Sequence, residues 1–152
     1  MFLNTTDLGS TIYEYQWDQI TEGNDDIVEQ SLQAAEEEIR SYLTGNNKKE
    51  WLDGRLKYDV NAILSATGTA RNALLVRHGA TIAKWYVVDL CNADIIMDQA
   101  KSRYDRAITW LEKLSTGKLN LSTLPTLPET PEENTDDTDP FAYGSRAKFT
   151  HE

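Results

Sequence analysis

The chain has 152 residues, of which 39% are hydrophobic and 26% charged, and it carries a net charge of −10. This length suits one domain with one sizeable core and is too short for two ordinary domains. The sequence has no apolar run of about 18 residues and no signal-peptide pattern, so we expect a soluble protein without a membrane-spanning segment. Its single cysteine, Cys91, excludes an internal disulfide, and we expect a small buried apolar residue there.

The N-terminal third of the sequence predicts two helices. The first extends roughly from Asp7 to Ile20 and can be capped by the Thr5-Thr6 pair, whose hydroxyl groups accept from free N–H groups. The second begins at the Asn24-Asp25 pair and ends at Gly45-Asn46. Apolar residues at helical spacing predict its buried stripe, which consists of Val28, Leu32, Ala35, Ile39 and Leu43.

The middle of the sequence predicts a loop followed by a third helix. Between Asn46 and Ala70, glycines interrupt the apolar pattern, so we expect an ordered loop with one or two short helical turns. The third helix is predicted from Arg71 to Asn92 and is rich in bulky side chains, which favours a central, largely buried position. One line along this helix contains Leu75, His78, Ile82, Trp85 or Tyr86, and Asp89.

The fourth predicted helix begins at Asn92 or Asp94 and ends near Gly117. Gly117 stands where a helix C-cap favours a residue with positive φ, and Lys113 and Lys118 lie beside the negative end of the helix dipole. Residues spaced by three and four predict one apolar stripe on this helix, formed by Met97, Ala100, Tyr104, Ala107, Leu111 and Leu114.

We predict that residues 1–119 form an all-α domain, a small bundle of about four helices, and that residues 120–152 form a long extended C-terminal tail. The tail begins with a strap rich in Leu and Pro, residues 120–128. An acidic run follows, Glu129 to Asp139, with six acids and no base. An aromatic and basic anchor ends the tail and either binds a partner or contacts nothing. The candidate partner-binding residues are Phe141, Tyr143, Arg146, Lys148 and Phe149.

The acidic run carries most of the net charge. Removing its six charges from the total of −10 leaves −4 for the rest of the chain. That remainder shows no Lys/Arg cluster typical of proteins that grip phosphate backbones, so we expect no tight binding to nucleic acid. A mildly acidic body is compatible with lining a channel through which DNA slides.

Few residues in the sequence are suited to catalysis. His78 and His151 are the only histidines, and we interpret His78 as a core or interface residue because no Ser or Cys nucleophile motif accompanies it. The Glu36-Glu37-Glu38 run is expected to be a solvated helix face. No calcium-loop or nucleotide-binding motif is present, so we expect neither an enzyme nor a metal or cofactor site.

Three segments carry a resemblance to a known family: Ser65 to Val76, Tyr86 to Leu90, and Arg103 to Leu111. With residues near the N-terminus they extend over most of residues 1–121, and they resemble the neck proteins of Mu-like phages. These are related to the head-tail connector (adaptor) proteins of other long-tailed phages. The most specific segment precedes a short Gly-Lys turn and contains Arg103, Tyr104, Ala107, Ile108, Trp110 and Leu111.

The resemblance implies a structural protein of the virion neck, made in the cytoplasm of the bacterial host. Such adaptors are small helical bundles that form a ring, commonly of twelve copies, below the portal protein. The ring extends the channel through which packaged DNA passes without specific binding, and it docks the next neck or tail component. Terminal segments of these proteins often reach into the portal or adjacent subunits, which suits the predicted anchor. The alternative from a different class is a monomeric regulatory module that acts on a host partner through its tail.

Overall fold

The computed structural model describes residues 1–9, 14–48, 55–91 and 94–128, with only the backbone described for 14–17 and 94–96. Six α-helices and no strand occur in these ranges, which confirms the expected all-α fold. None of the helices described is long and apolar enough to cross a membrane. The helices are α1 (Thr5–Gly9), α2 (Glu14–Thr21), α3 (Asp25–Asn47), α4 (Val60–Ser65), α5 (Ala73–Leu90) and α6 (Asp94–Ser115).

The three long helices form the body of the fold. The helix α5 packs against both α3 and α6, which also contact each other. On α3 the predicted stripe is confirmed, because Leu32, Ala35, Ile39 and Leu43 are buried and Val28 is half-buried against them. On α6 the stripe is confirmed in the same way: Ala100, Ala107, Leu111 and Leu114 are buried, and Met97 and Tyr104 are half-buried. These faces enclose one core.

The N-terminal region differs from its prediction. Instead of one helix from Asp7 to Ile20, the structure has α1 and α2, and residues 10–13 between them lie outside the described ranges. Gly9, a poor helix former, is the last residue of α1. Asp7 provides the cap expected from Thr5 or Thr6: its carboxylate accepts from the Asn4 N–H at 2.8 Å.

The end of α3 also differs from its prediction. The helix continues through Gly45-Asn46 to Asn47 because both asparagine side chains bind the chain that returns toward α4. Asn46 is buried, and its amide donates to the Leu56 carbonyl at 2.7 Å. Asn47 accepts from the Tyr58 N–H at 2.8 Å. These hydrogen bonds fix the segment before α4 on the end of α3.

The region between α3 and α5 confirms the expected short helical turns where it is described. It contains α4 and a 3-10 turn, Gly68–Ala70. Asn72 then caps α5 by accepting from the N–H groups of Leu74 and Leu75, so the helix begins two residues later than predicted. Its C-cap is Cys91, which is half-buried rather than fully buried because it lies at the helix end.

A glycine in the middle of α5 permits close packing that its sequence position does not reveal. A Cβ atom at Gly79 would lie 2.8 Å from the terminal carbons of Leu3 and 2.9 Å from Ile39 Cδ1. Phe2 and Leu3 are fully buried, so the N-terminal chain inserts into the core beside this residue. Leu3 therefore occupies the space that a side chain at position 79 would fill.

The strap is ordered on the body as far as residue 128. Gly117 has the expected positive φ of 73°, and Leu119 and Leu121 pack against the core beyond it. The buried Tyr58 hydroxyl accepts from the Leu121 N–H at 2.9 Å. Leu124 is buried, and the Leu127 N–H donates to the Lys57 carbonyl at 2.9 Å. The strap thus joins α6 to the segment before α4.

A half-buried ion pair connects the N-terminus to the start of α5. The guanidinium of Arg71 donates to both carboxylate oxygens of Asp7, at 2.6 Å and 3.0 Å, and to the Phe2 carbonyl at 2.8 Å. Burial raises the pKa of Asp7, but the hydrogen bonds from Arg71 and Asn4 and the charge of Arg71 outweigh it and hold this pKa below its usual value. Asp7 therefore stabilises the fold in its ionised form.

Candidate functional site

A cationic cleft lies between α5 and α6. It encloses about 500 Å³, and Arg77, His78, Thr81, Lys84, Arg103 and Arg106 contribute to its lining. The α5 residues recur every three or four positions, so they share one face of that helix, and Arg103 and Arg106 share the facing side of α6. We call this space, defined by these six residues, the cationic cleft.

Lys84 is the most unusual residue of the cationic cleft. Its side chain is 4% exposed, and no hydrogen-bond acceptor or carboxylate contacts its ammonium in the described part of the chain. Burial, together with the nearby positive charge of Arg103, lowers its pKa from 10.5 to about 8. A buried charge without a partner is costly, because it has lost water and gained no compensating bond. The cleft therefore has the charge and the unused donors suited to an anionic group.

His78 lines the same cleft and stacks on Trp110. The two ring centroids are 4.3 Å apart and the ring planes meet at 17°. Burial and the charge of Arg77 lower the pKa of His78, so the imidazole is neutral at neutral pH. The stack holds His78 against α6 and positions the wall of the cleft.

A second polar cluster lies where α3, α5 and α6 meet. The Glu38 carboxylate accepts from the hydroxyls of Tyr86 at 2.7 Å and Tyr104 at 3.0 Å. Burial and the hydrogen bond to Glu38 raise the pKa of both tyrosines, that of Tyr104 to about 12. Trp85 also packs against Tyr104, with ring centroids 5.7 Å apart. This cluster joins α3, α5 and α6.

The prediction that Glu36-Glu37-Glu38 is a solvated run is wrong for two of its members. Glu36 accepts from the Phe2 N–H at 2.8 Å, and Glu38 binds the two tyrosines. Only Glu37 points to solvent, with 72% of its side chain exposed. Consecutive residues of a helix face different directions. A run of three identical residues therefore meets several environments.

The residues of the family motif on α6 have different positions. Arg103 lines the cationic cleft, and Tyr104 belongs to the cluster around Glu38. Ala107 and Leu111 are buried, and Ile108 and Trp110 are half-buried against the core. The predicted anchor residues Phe141, Tyr143, Arg146, Lys148 and Phe149 lie outside the described residues, as does the acidic run.

Sequence reasoning missed the cationic cleft. Its four cations come from positions 77, 84, 103 and 106, so none of them adjoins another in the sequence. A signal was present in the spacing of Arg77, Thr81 and Lys84, which places two cations on one helix face. The expectation of no Lys/Arg cluster in the body is therefore wrong for this face, since charge counted along the chain does not show what two helices bring together.

The fold and the cleft define the class: in its described residues the protein is an all-α bundle with a cationic surface cleft. The family model described as Bacteriophage Mu, Gp36 matches residues 2–139. The chain belongs to this family and is a virion-related phage protein. Comparison with curated proteins and with solved structures gave no match.

Proposed function

We propose that the protein is a structural subunit of a head-tail connector, an adaptor ring below the portal protein in the neck of a tailed phage. The observation that carries this proposal is the family match, which covers the helical body, the strap and the acidic run. The matched range ends at residue 139, before the predicted anchor.

The surface of the bundle supports a role in assembly. Leu74 is 38% exposed and Leu90 is 56% exposed, so α5 presents apolar side chains near both of its ends. Copies arranged head to tail need two different contact surfaces on each subunit, and such contacts close into a ring when the rotation fits. Exposed apolar groups at two separate places suit this arrangement.

In this role the subunits together surround the channel. Each of them contacts the portal, its neighbours in the ring and the next neck component. Twelve copies form the ring, and DNA passes through without specific binding. The protein acts as a scaffold rather than as an enzyme, and it resides in the virion at the junction of head and tail.

Truncation after Leu127 tests the proposal in the phage. This variant keeps the hydrogen bond of Leu127 to Lys57 and removes the acidic run and the anchor, so the described body stays intact. We expect complementation of a phage lacking the gene to restore joined particles with the full chain, and to leave separate heads and tails with the truncated chain. The measurement is electron microscopy of lysates with a plaque count.

The matched control is a full chain with Lys48→Gln, a change at an exposed residue at the end of α3, which we expect to restore plaques fully. Normal particles from the truncated chain, accompanied by altered host growth, would overturn the connector proposal and favour a regulatory module that acts on a host partner.

A further inference from the structure

The protein contains a cationic cleft and, in the same chain, an acidic segment of opposite charge. We propose that the cationic cleft between α5 and α6 binds the acidic run, Glu129 to Asp139, of the same chain through its carboxylates. The connector function does not depend on this pairing, and the pairing does not depend on the connector function.

The lining of the cleft is rich in positive charge. Arg77, Lys84, Arg103 and Arg106 line one space, and Asp98 is the acid that lies beside Arg103 and Arg106 at its edge. Lys84 is nine-tenths buried, lines this space and has no acceptor within the described ranges. Carboxylates that enter the cleft would form charge-assisted hydrogen bonds with these donors, which are stronger than bonds between neutral groups.

The acidic run starts close to the described body of the protein. The acidic run has six acids and no base, and it begins two residues after the last strap residue that is hydrogen-bonded to the body. The Asn72 amide donates to the Thr123 hydroxyl at 3.3 Å, so the strap lies beside the start of α5, the helix that carries Arg77 and Lys84. A tethered ligand at this position has an effective concentration in the millimolar range.

The run is also long enough to reach the cleft. From Ala73 to Lys84, α5 extends about 17 Å at roughly 1.5 Å per residue. An extended chain spans about 3.3 Å per residue, so a run of this length covers about 36 Å. The run leaves the body at Leu127, at most about 13 Å along the strap from Thr123, so the near end of the cleft at Arg77 lies within its reach.

A carboxylate ligand fits the site better than a nucleic acid does. Lys84 is the least exposed cation of the cleft, at 4%, whereas a duplex offers its phosphates on a broad convex surface. The whole chain carries −10, which repels a polyanion. Binding of the acidic run cancels charge within one molecule and needs no approach of a second one.

The experiment uses the full chain, labelled with ¹⁵N, and a variant in which the six acids of the run are changed to Gln or Asn. We expect neutralisation to shift the backbone amide signals of Arg77 to Lys84 and Arg103 to Arg106, and to leave those of α3 unchanged. These shifts are expected to be independent of protein concentration. A synthetic peptide of residues 129–139 added to the neutralised variant is expected to restore the original signals, with an affinity that falls as salt is added.

Matched double variants locate the peptide site. In the neutralised chain, Arg77→Gln with Arg103→Gln is expected to weaken peptide binding about tenfold or more, whereas Lys48→Gln with Lys118→Gln removes the same charge elsewhere and is expected to change it less than about twofold. Equal effects of the two pairs would overturn the proposal, as would unchanged cleft signals on neutralisation. Signals that depend on protein concentration would assign the contact to a second copy, and binding of duplex DNA but not peptide would assign it to nucleic acid; either result contradicts the proposal.

Discussion

Replacing Lys84 by methionine in the chain truncated after Leu127, which lacks the acidic run, is expected to raise the free energy of unfolding by about 2 kcal/mol at pH 7. The pKa of Lys84 is lowered from 10.5 to about 8, which corresponds to roughly 3 kcal/mol of penalty on the charged form, and solvent at the mouth of the cleft reduces this. Methionine keeps most of the length and volume of the side chain and removes the charge. Urea denaturation followed by circular dichroism measures the difference.

The dependence of the unfolding free energy on pH provides a second measurement of the effect of Lys84. Below about pH 8 the ammonium is charged in both the folded and the unfolded chain, so its full penalty applies. Between about 8 and 10.5 the folded chain loses the proton first, so the stability of the truncated chain with Lys84 rises with pH in this window and approaches that of its Lys84→Met variant.

A surface lysine on the neighbouring helix is the control for this change. Lys101 is 58% exposed and pairs with Asp105 at 3.3 Å, so Lys101→Met is expected to change stability by less than about 0.5 kcal/mol. A clear loss of stability in Lys84→Met of the truncated chain would contradict the account, because it would mean that the ammonium has a favourable partner within residues 1–127.

Replacing Glu38 by alanine is expected to lower the free energy of unfolding by about 2–4 kcal/mol. The change leaves the hydroxyls of Tyr86 and Tyr104 without their carboxylate acceptor, and these bonds connect α3 to both α5 and α6. The pKa of Tyr104, raised to about 12 in the native protein, should fall toward its ordinary value of 10. Chemical denaturation measures the first effect and absorbance titration of the tyrosines the second.

The adjacent glutamate provides a matched control for Glu38→Ala. Glu37 is 72% exposed and its partner Arg40 lies at 3.5 Å, so Glu37→Ala is expected to cost less than about 0.5 kcal/mol. Glu38→Gln keeps one acceptor oxygen and should fall between the two. If Glu38→Ala were no more destabilising than Glu37→Ala, the tyrosine cluster would contribute nothing to the joining of the three helices.

The periodic helices could be predicted from the sequence because their cause is local. Five apolar residues at helical spacing located α3, and Gly117 predicted the end of α6, since both signals depend on residues a few positions apart. The parts that failed depend on distant contacts. Burial of Leu3 against Gly79 and the continuation of α3 beyond Gly45 require neighbours that no local pattern specifies.

The candidate site shows the same limit more strongly. The family motif in the sequence includes Arg103, but the placement of Arg103 beside Lys84 depends on how α5 and α6 pack. Glu38 looked like one of three equivalent acids, and only the fold distinguishes it from Glu37. Charge along a chain is visible in the sequence, whereas charge gathered in a cleft is a property of the packed helices.

The most direct test of the connector proposal is electron microscopy and mass photometry of the purified protein mixed with the portal protein of the same phage. The account predicts a complex in which a ring of copies, twelve by mass, covers one end of the portal and continues its channel. A protein that stays monomeric at all concentrations and never joins the portal would contradict the account.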